Sequence, residues 1–308
     1  MDDEHPDDEI ATGTTTADDT DSADGPVDAP SSDAGHRPWY RRPRLLVPIA
    51  AFALLCVGAG VFAYLWASRG AEEASTQDVI DRYRREQSGG RGTAGLLRPA
   101  GGVYTYHATG TERLSILGTS QQWGPTVPAT VTEDAGDCWT LRLDYSTNHW
   151  QEERYCPSGD VLLNVGGRGY QSFDFGAAKI GDTTVFICDP PSQAIRIAAE
   201  PGESWTRSCD GRSEGRRTQV TSAGTNTFVD IEQLTIGDEK VASLHYRLQR
   251  ILSGDQTGTE DINDWYAVTD GLLLRSTRDT RVASPSPIGD VIYTEQGEFQ
   301  LTSRTPLR

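Results

Sequence analysis

Lysine and arginine are absent from residues 1–35, although this stretch contains twelve aspartate or glutamate residues. Its remaining residues are mostly Thr, Ala, Ser, Gly and Pro, so it has too little apolar surface to offset the entropy lost on ordering. We therefore predict a disordered, acidic cytoplasmic tail at residues 1–35. Nucleic-acid binding is not expected. The four arginines in residues 36–44 lie beside this acidic tail, so the segment offers too little positive charge to bind a nucleic acid.

Charge of either sign is absent from Leu45–Trp66, a run of 22 residues. At about 1.5 Å per residue, a helix over this run would be about 33 Å long, enough to cross a bilayer. The basic juxtamembrane segment 36–44 precedes it, and the positive-inside rule places that segment in the cytoplasm. We predict a transmembrane helix at 45–66 that spans the lipid bilayer of the plasma membrane once. The C-terminal domain would then be extracytoplasmic.

A cleaved signal peptide is the alternative to a permanent membrane span. The segment before the apolar run and the run itself are both longer than in typical signal peptides, whose apolar region is about 7–15 residues. The stretch Ser68–Gly70 could nevertheless serve as a cleavage site, so cleavage stays open.

Methionine is absent after position 1, and lysine occurs only at Lys179 and Lys240. Residues 67–308 contain 33 acidic and 24 basic residues, a balance that argues against polyanion binding as the main task. A capping pattern at Ser75–Asp78 predicts a short helix, and a Gly-rich spacer follows it within residues 67–102. The remaining residues, 103–308, suffice for one domain with its own core.

Paired cysteine motifs of the CxxC type are absent, which argues against a zinc site built from cysteine. Four of the five cysteines lie beyond the predicted span, at Cys138, Cys156, Cys188 and Cys209. An even number in an oxidising compartment predicts two disulfides, for which three pairings are possible. Local spacing favours pairing the first two with each other and the last two with each other. A hairpin turning near Thr147 would bring the first pair together.

Amphipathic helices are not apparent after Val103, where the pattern is one of strands and turns. Trp139, Leu141, Leu143 and Tyr145 alternate with polar residues, as is typical of a half-buried strand. Turn dipeptides recur between such segments. We predict a mainly β domain at 103–308, either an antiparallel sandwich or a half-open, clamshell-like barrel.

Catalytic and metal-binding motifs are also lacking. His107, His149 and His245 lie far apart and form no HxH or HExxH pattern, so no metal site is predicted. Because His149 lies in the predicted hairpin turn and His245 on a polar strand face, we expect ordinary surface histidines there. Gly211–Gly215 matches GxSxG, but its flanks lack the strand and helix that a nucleophile elbow needs. We predict neither enzyme activity nor a cofactor.

Aromatic residues are the best candidates for a binding site, because they could line a cleft for lipid tails, glycans or a protein partner. We single out Trp123, Trp150, Trp265 and Tyr246. Packing in the core is the competing explanation for each of them. In the predicted hairpin, Glu153 would lie opposite Leu141, which does not fit a purely apolar interior.

The segments GDCWTLRLDYSTNHWQEERYC, DGLLLR and IGDVIYTEQGEFQLTSRTP resemble uncharacterised single-pass envelope proteins of actinobacteria. The late strands and Gly271-Leu272 are also remotely similar to LolA/LppX-type clamshells. That second resemblance implies a half-open barrel whose concave face holds acyl chains.

Three hypotheses for function follow. The first is a non-enzymatic binding or interaction module of the cell envelope, for a lipid, an amphiphile or an envelope protein. The second is a membrane-tethered assembly or sensing factor that signals to a cytoplasmic partner. The third, a hydrolase, has the least support, because no catalytic constellation is present.

Overall fold

The computed structural model describes residues 71–86, 95–175, 179–287 and 289–308. The predicted acidic tail, basic segment and transmembrane helix all lie outside these residues. Among the residues that are described, no helix has the length and apolar character needed to span a membrane.

The described chain consists of one α-helix, two single-turn 3₁₀ helices and thirteen antiparallel strands. The helix, α1, is Thr76–Glu86, and the 3₁₀ turns are Ile116–Gly118 and Ala135–Asp137. The strands are β1 Gly102–Leu114, β2 Ser120–Gln122, β3 Thr126–Glu133, β4 Trp139–Ser146, β5 His149–Ser158, β6 Val161–Asp174, β7 Lys179–Arg196, β8 Ser204–Ser213, β9 Gln219–Ile236, β10 Glu239–Gly254, β11 Thr257–Ala267, β12 Leu273–Ser284 and β13 Val291–Leu301. The mainly β, antiparallel class predicted from the alternation is thus confirmed.

The sheet closes on itself, because its last strand pairs with its first. From β3 to β13 each strand pairs with the next along the chain, and β1 pairs with both β3 and β13. The β1–β13 ladder runs from Tyr106↔Leu301 to Leu114↔Tyr293. The short strand β2 pairs only with β1. The domain is therefore a closed barrel of twelve strands, and the predicted sandwich or half-open barrel is corrected to this closed form.

Helix α1 begins where the capping pattern predicts, with the Asp78 backbone N–H donating to Ser75 Oγ at 3.3 Å. Val79 and Ile80 are buried and cluster with Val103 of β1. The segment before β1 also belongs to the domain, since Leu97 is fully buried in the main core. Packing therefore begins before Val103, within the region that the sequence suggested was a spacer.

Both disulfides form with the pairing that the spacing favoured. Cys138 bonds Cys156, and Cys188 bonds Cys209, each with a Cα–Cα distance of 4.1 Å. The first lies just beyond the Trp139↔Tyr155 pair of the β4–β5 ladder. The β4–β5 hairpin turns between Ser146 and His149, as predicted.

Candidate functional site

A row of side chains crosses six neighbouring strands on the outer face of the barrel. Directly opposed pairs in a ladder place their side chains on the same face. The pairs His107↔Gln300, Gln300↔Arg275, Arg275↔Trp265, Trp265↔His245 and His245↔Asp230 share members. They form one continuous line from β1 through β13, β12, β11 and β10 to β9. Residues that are up to 193 positions apart thus become neighbours.

Two β-bulges adjoin this row. The β9–β10 register shifts between His245 and Tyr246, which leaves Val229 as an extra residue on β9. The β11–β12 register shifts between Trp265 and Tyr266, which leaves Leu274 as an extra residue on β12. Bulges redirect side chains and are over-represented next to active sites. At β12 the bulge lets both Leu273 and Leu274 be buried while Arg275 stays on the outer face.

A groove of about 360 Å³ lies at the β1 end of the row. We call it the outer groove; it is lined by His107, Thr109, Arg275, Glu298, Phe299, Gln300, Leu301 and Thr302. The β9–β10 hairpin reaches one side of it, because Gln300 Nε2 donates to the Thr235 carbonyl oxygen at 2.9 Å. The outer groove is therefore built from strands at both ends of the domain sequence.

Trp265 is held firmly beside the outer groove. Its indole Nε1 donates to Glu232 Oε2 at 2.9 Å. The imidazole of His245 stacks on it with a centroid separation of 4.1 Å and an interplanar angle of 18°. His245 Nδ1 in turn lies 2.7 Å from Glu232 Oε1. The Arg275 guanidinium carbon lies 4.8 Å from the Trp265 ring centroid, so the tryptophan orients the arginine.

The groove presents polar groups that are free to bind. His107 and Thr109 are exposed, and their side chains make no hydrogen bond to any described residue. Arg275 makes one ion pair, from Nη2 to Glu298 Oε2 at 3.2 Å. Guanidinium and amide groups donate, carboxylate and amide oxygens accept, and a hydroxyl or a neutral imidazole can do both. This mixture suits a polar ligand rich in hydroxyl groups.

The four aromatic residues chosen from the sequence do not meet in one cleft. Trp265 adjoins the outer groove. Trp123 is in the core, where its Nε1 donates to Glu112 Oε1 at 2.8 Å. Tyr246 is also in the core, and its hydroxyl donates to the Arg196 carbonyl oxygen at 2.9 Å.

Trp150 lies on another part of the outer face. The Arg142 guanidinium carbon is 4.0 Å from its ring centroid, and the ring of Tyr170 stacks beside it at 6.1 Å. Of the four aromatic residues, only Trp265 is therefore part of the candidate site.

A second polar cluster is buried in the barrel. The carboxylates of Glu112 and Glu295 and the imidazole of His149 offer ligand atoms that all lie within 4.8 Å of one another. Glu112 accepts at Oε1 from Trp123 and contacts His149, and it accepts at Oε2 from Gln121 and Gln171. These contacts use the four acceptor positions of a carboxylate, so Glu112 is satisfied without a metal ion.

Burial and charge set the protonation of this cluster. Burial opposes the charged forms of Glu112 and His149, but the charge and hydrogen bond between them lower the pKa of Glu112 and raise that of His149. Burial raises the pKa of Glu295, and repulsion from Glu112 adds to this effect, against the attraction of His149. Two carboxyl groups with pKa values pushed in opposite directions resemble an acid–base pair. Both carboxyl groups are buried.

A polar cavity of about 20 Å³ lies among inward-facing side chains of the barrel. Its lining includes Glu153, Asp264, Arg207, Arg250 and Arg278 beside apolar residues of β4, β10 and β12. A void of this size holds about one water molecule. Glu153 pairs with Leu141 and lines this cavity. The polar cavity therefore explains why a glutamate lies opposite a leucine on an inward-facing position.

Sequence reasoning missed Arg275, Gln300 and the role of His107. Each lies in a strand whose polar residues look alike, and only the registers of the β1–β13 and β12–β13 ladders bring the three together. The prediction of ordinary surface histidines is wrong for His149, which is buried against Glu112. It is also incomplete for His245, which packs against Trp265. The sequence does contain one signal for this site: His107, His245, Trp265 and Arg275 all lie at outward-facing positions of predicted strands.

No protein-family model matches the sequence, and no curated protein is significantly similar to it. Among solved structures, one match is the hypothetical lipoprotein YmcC from Escherichia coli K12. It has 13% sequence identity, a TM-score of 0.30, and coverage of 73% of this chain and 98% of that one. Another is a protein of Parabacteroides distasonis ATCC 8503 assigned to the lipoproteins. It has 10% identity, a TM-score of 0.31, and coverage of 69% and 99%.

These scores are too low to carry an argument about fold or function. The resemblance to actinobacterial single-pass envelope proteins and the remote likeness to LolA/LppX-type clamshells therefore stay predictions.

Proposed function

We propose that this protein is a non-enzymatic binding module of the cell envelope and that its ligand occupies the outer groove. The ligand is a polyhydroxylated head group, either of a free saccharide or of a glycolipid. In this proposal residues 45–66 tether the domain to the plasma membrane, with the β barrel on the outer side. The observation that carries the proposal is the row of six side chains, flanked by two bulges and ending in the groove.

The volumes of the internal cavity and the outer groove favour a binding site on the outside of the barrel. The internal cavity, of about 20 Å³, has charged side chains in its wall, whereas an acyl chain needs a long apolar space. The outer groove is about eighteen times larger, from volumes of 360 and 20 Å³. If the ligand is an amphiphile, its polar head therefore binds in the groove and its chains remain outside the barrel.

The free side chains of the groove allow a direct test. The side chains of His107 and Thr109 make no hydrogen bond to a described residue, so replacing both with alanine should leave the fold intact. We expect the full chain, purified from its native membrane in detergent, to retain a hydroxylated small molecule that mass spectrometry detects. The His107→Ala/Thr109→Ala variant should lose most of it.

Thr206 and Thr225 supply the matched control. They are exposed, face each other on β8 and β9, and make no side-chain hydrogen bond to a described residue. The Thr206→Ala/Thr225→Ala variant should retain the molecule as the unmodified protein does. Equal retention by the groove variant, or no retained molecule at all, would contradict the proposed function.

A further inference from the structure

We infer that the ligand of the outer groove carries an anionic group, a carboxylate or a phosphate, which binds Arg275 by displacing the side chain of Glu298. This inference rests on the proposed function and specifies the chemical class of its ligand. Glu298 now makes the contact with Arg275 that the ligand's anion would take over.

The first step is the difference between Arg275 and the other arginines that pack on tryptophan in the described residues. Arg142, over Trp150, contacts both Asp144 and Glu152 at 2.9 Å. Arg196, over Trp205, contacts Glu203 at 2.6 Å.

Arg168, also near Trp150, contacts Glu152 at 2.7 Å. Arg275 has a single carboxylate contact, at 3.2 Å, the longest of the group. It is also the one among these arginines that lines the outer groove. Its guanidinium thus combines a fixed orientation with unused hydrogen-bond donors.

The second step concerns the strength of the present ion pair. The side chains of Arg275 and Glu298 are 34% and 56% exposed. Solvent-exposed pairs of this kind contribute little to stability, so the carboxylate can leave at low cost. A guanidinium binds carboxylate and phosphate groups through two parallel hydrogen bonds. A ligand anion could therefore replace one long contact with two short ones.

The third step is the charge balance of the groove. Arg275 and Glu298 are the charged side chains in its lining, and they cancel each other. Movement of Glu298 towards solvent would leave the guanidinium charge unmatched beside the free His107 and Thr109. An anionic group restores neutrality there, and neighbouring hydroxyl groups of the same ligand can reach those two side chains.

Calorimetric titration of the full chain in phosphatidylcholine nanodiscs tests this inference. The probes are trigalacturonate, glucose 6-phosphate, and the neutral methyl ester of trigalacturonate as the uncharged match. We expect at least one anionic probe to bind more tightly than the ester. Arg275→Gln should weaken that binding about tenfold or more, because charge-assisted hydrogen bonds are lost. Glu298→Gln should strengthen it by about two- to fivefold, because the internal competitor is removed.

Arg247 gives the control variant. It lies on the same outer face and makes a bidentate contact with Asp261, but it is outside the groove. Arg247→Gln should leave probe affinity unchanged, and circular dichroism should show that all three variants are folded. Adding phosphatidylinositol to the nanodiscs separates the two sources of ligand. If the groove binds lipid head groups, phosphatidylinositol should compete with the soluble probe and lower its apparent affinity. If the groove binds only free saccharides, the affinity of the probe should not change.

Two results would overturn the inference. Equal binding of the ester and the anionic probes, unaffected by Arg275→Gln, would show that the ligand needs no anionic group. The proposed function of the groove would then remain intact. Failure of every anionic probe to bind the unmodified protein and Glu298→Gln alike would also reject it. Loss of the co-purifying molecule in the His107→Ala/Thr109→Ala variant tests the proposed function separately.

Discussion

The β4–β5 and β7–β8 strand pairs each end in a disulfide, but they hold together differently. The β4–β5 ladder has seven residue pairs, and Cys138–Cys156 adds a covalent bond to a continuous hairpin. The β7–β8 ladder has only four pairs, from Thr184↔Ser213 to Ile187↔Asp210. Cys188–Cys209 then marks the point where the two strands stop pairing.

Beyond the end of the β7–β8 ladder, side-chain hydrogen bonds connect the two strands. Ser192 Oγ lies 3.2 Å from the Ser208 carbonyl oxygen and 3.4 Å from its backbone nitrogen. Trp205 Nε1 donates to the Gln193 carbonyl oxygen at 2.7 Å. We call this region, residues 188–196 and 204–209, the seam. The barrel thus depends on ladder hydrogen bonds at β4–β5 and on a disulfide with side-chain bridges at the seam.

The largest expected effect comes from removing each disulfide in turn. Their sequence separations are 18 and 21 residues, so the entropic contributions should be nearly equal, at about 3 kcal/mol each. We expect Cys138→Ser/Cys156→Ser to lower the free energy of unfolding by about that amount. Cys188→Ser/Cys209→Ser should cost about 4–5 kcal/mol, because the seam has no ladder to hold it closed.

Chemical denaturation of the full chain measures both losses, and amide hydrogen exchange locates them. Protection should fall at residues 204–209 in the seam variant and stay high in β4 and β5. Equal losses for the two double variants would mean that the seam is as well supported as the hairpin.

The next effect isolates one bridge across the seam. Trp205→Phe keeps an aromatic ring but removes the N–H donor to Gln193. We expect a loss of about 1–2 kcal/mol in the free energy of unfolding, because the half-buried Gln193 carbonyl loses the shorter of its two side-chain hydrogen bonds. Trp150→Phe in the β4–β5 hairpin is the control, since the Trp150 indole N–H donates to no described residue. A larger loss for the control would contradict the role given to Trp205.

The smallest effect concerns pH and should separate the two regions. The pKa of His149 is raised above 6.5 in the folded state, so its stabilising contribution is complete below pH 6.5 and is lost as pH rises through the folded-state value. The raised pKa of Glu295 acts in the same direction. The lowered pKa of Glu112 removes stability only as pH falls below 4.5. We therefore expect the melting temperature to decrease from pH 6.5 to 8.5.

His149 begins β5, so hydrogen exchange over this pH range should show loosening at the tip of the β4–β5 hairpin and no change at the seam. His149→Gln should flatten the dependence of melting temperature on pH. A steep dependence in that variant would assign the effect to another group.

Local features of the fold were predictable where neighbours in sequence are neighbours in space. The alternation from Trp139 to Tyr145 predicted β4, and the cysteine spacing with turn residues near Thr147 predicted its partner strand. Closure of the barrel was not predictable, because it depends on pairing between Tyr106 and Leu301. Nothing in the alternation of either strand specifies such a distant partner.

The candidate site was harder to predict for a related reason. Trp265 was recognised as a candidate because aromatic residues often line clefts. Its position beside Arg275 depends on a ladder in which an error of one residue reverses every side chain. The bulges beside His245 and Trp265 add such a shift without any glycine or proline to mark them.

The same bulges make two long strands tolerant of a change in length. Val229 is the unpaired extra residue of β9 and is 37% exposed. Deleting it would restore a regular ladder in which Phe228 still faces the core and Asp230 still faces His245. Deleting Leu274 would preserve the outward position of Arg275 in the same way, but it would remove a fully buried side chain. A deletion in the middle of a strand ordinarily moves the side chains that follow it to the opposite face of the sheet. In β9 this domain could lose Val229 and keep every other side chain on its present face.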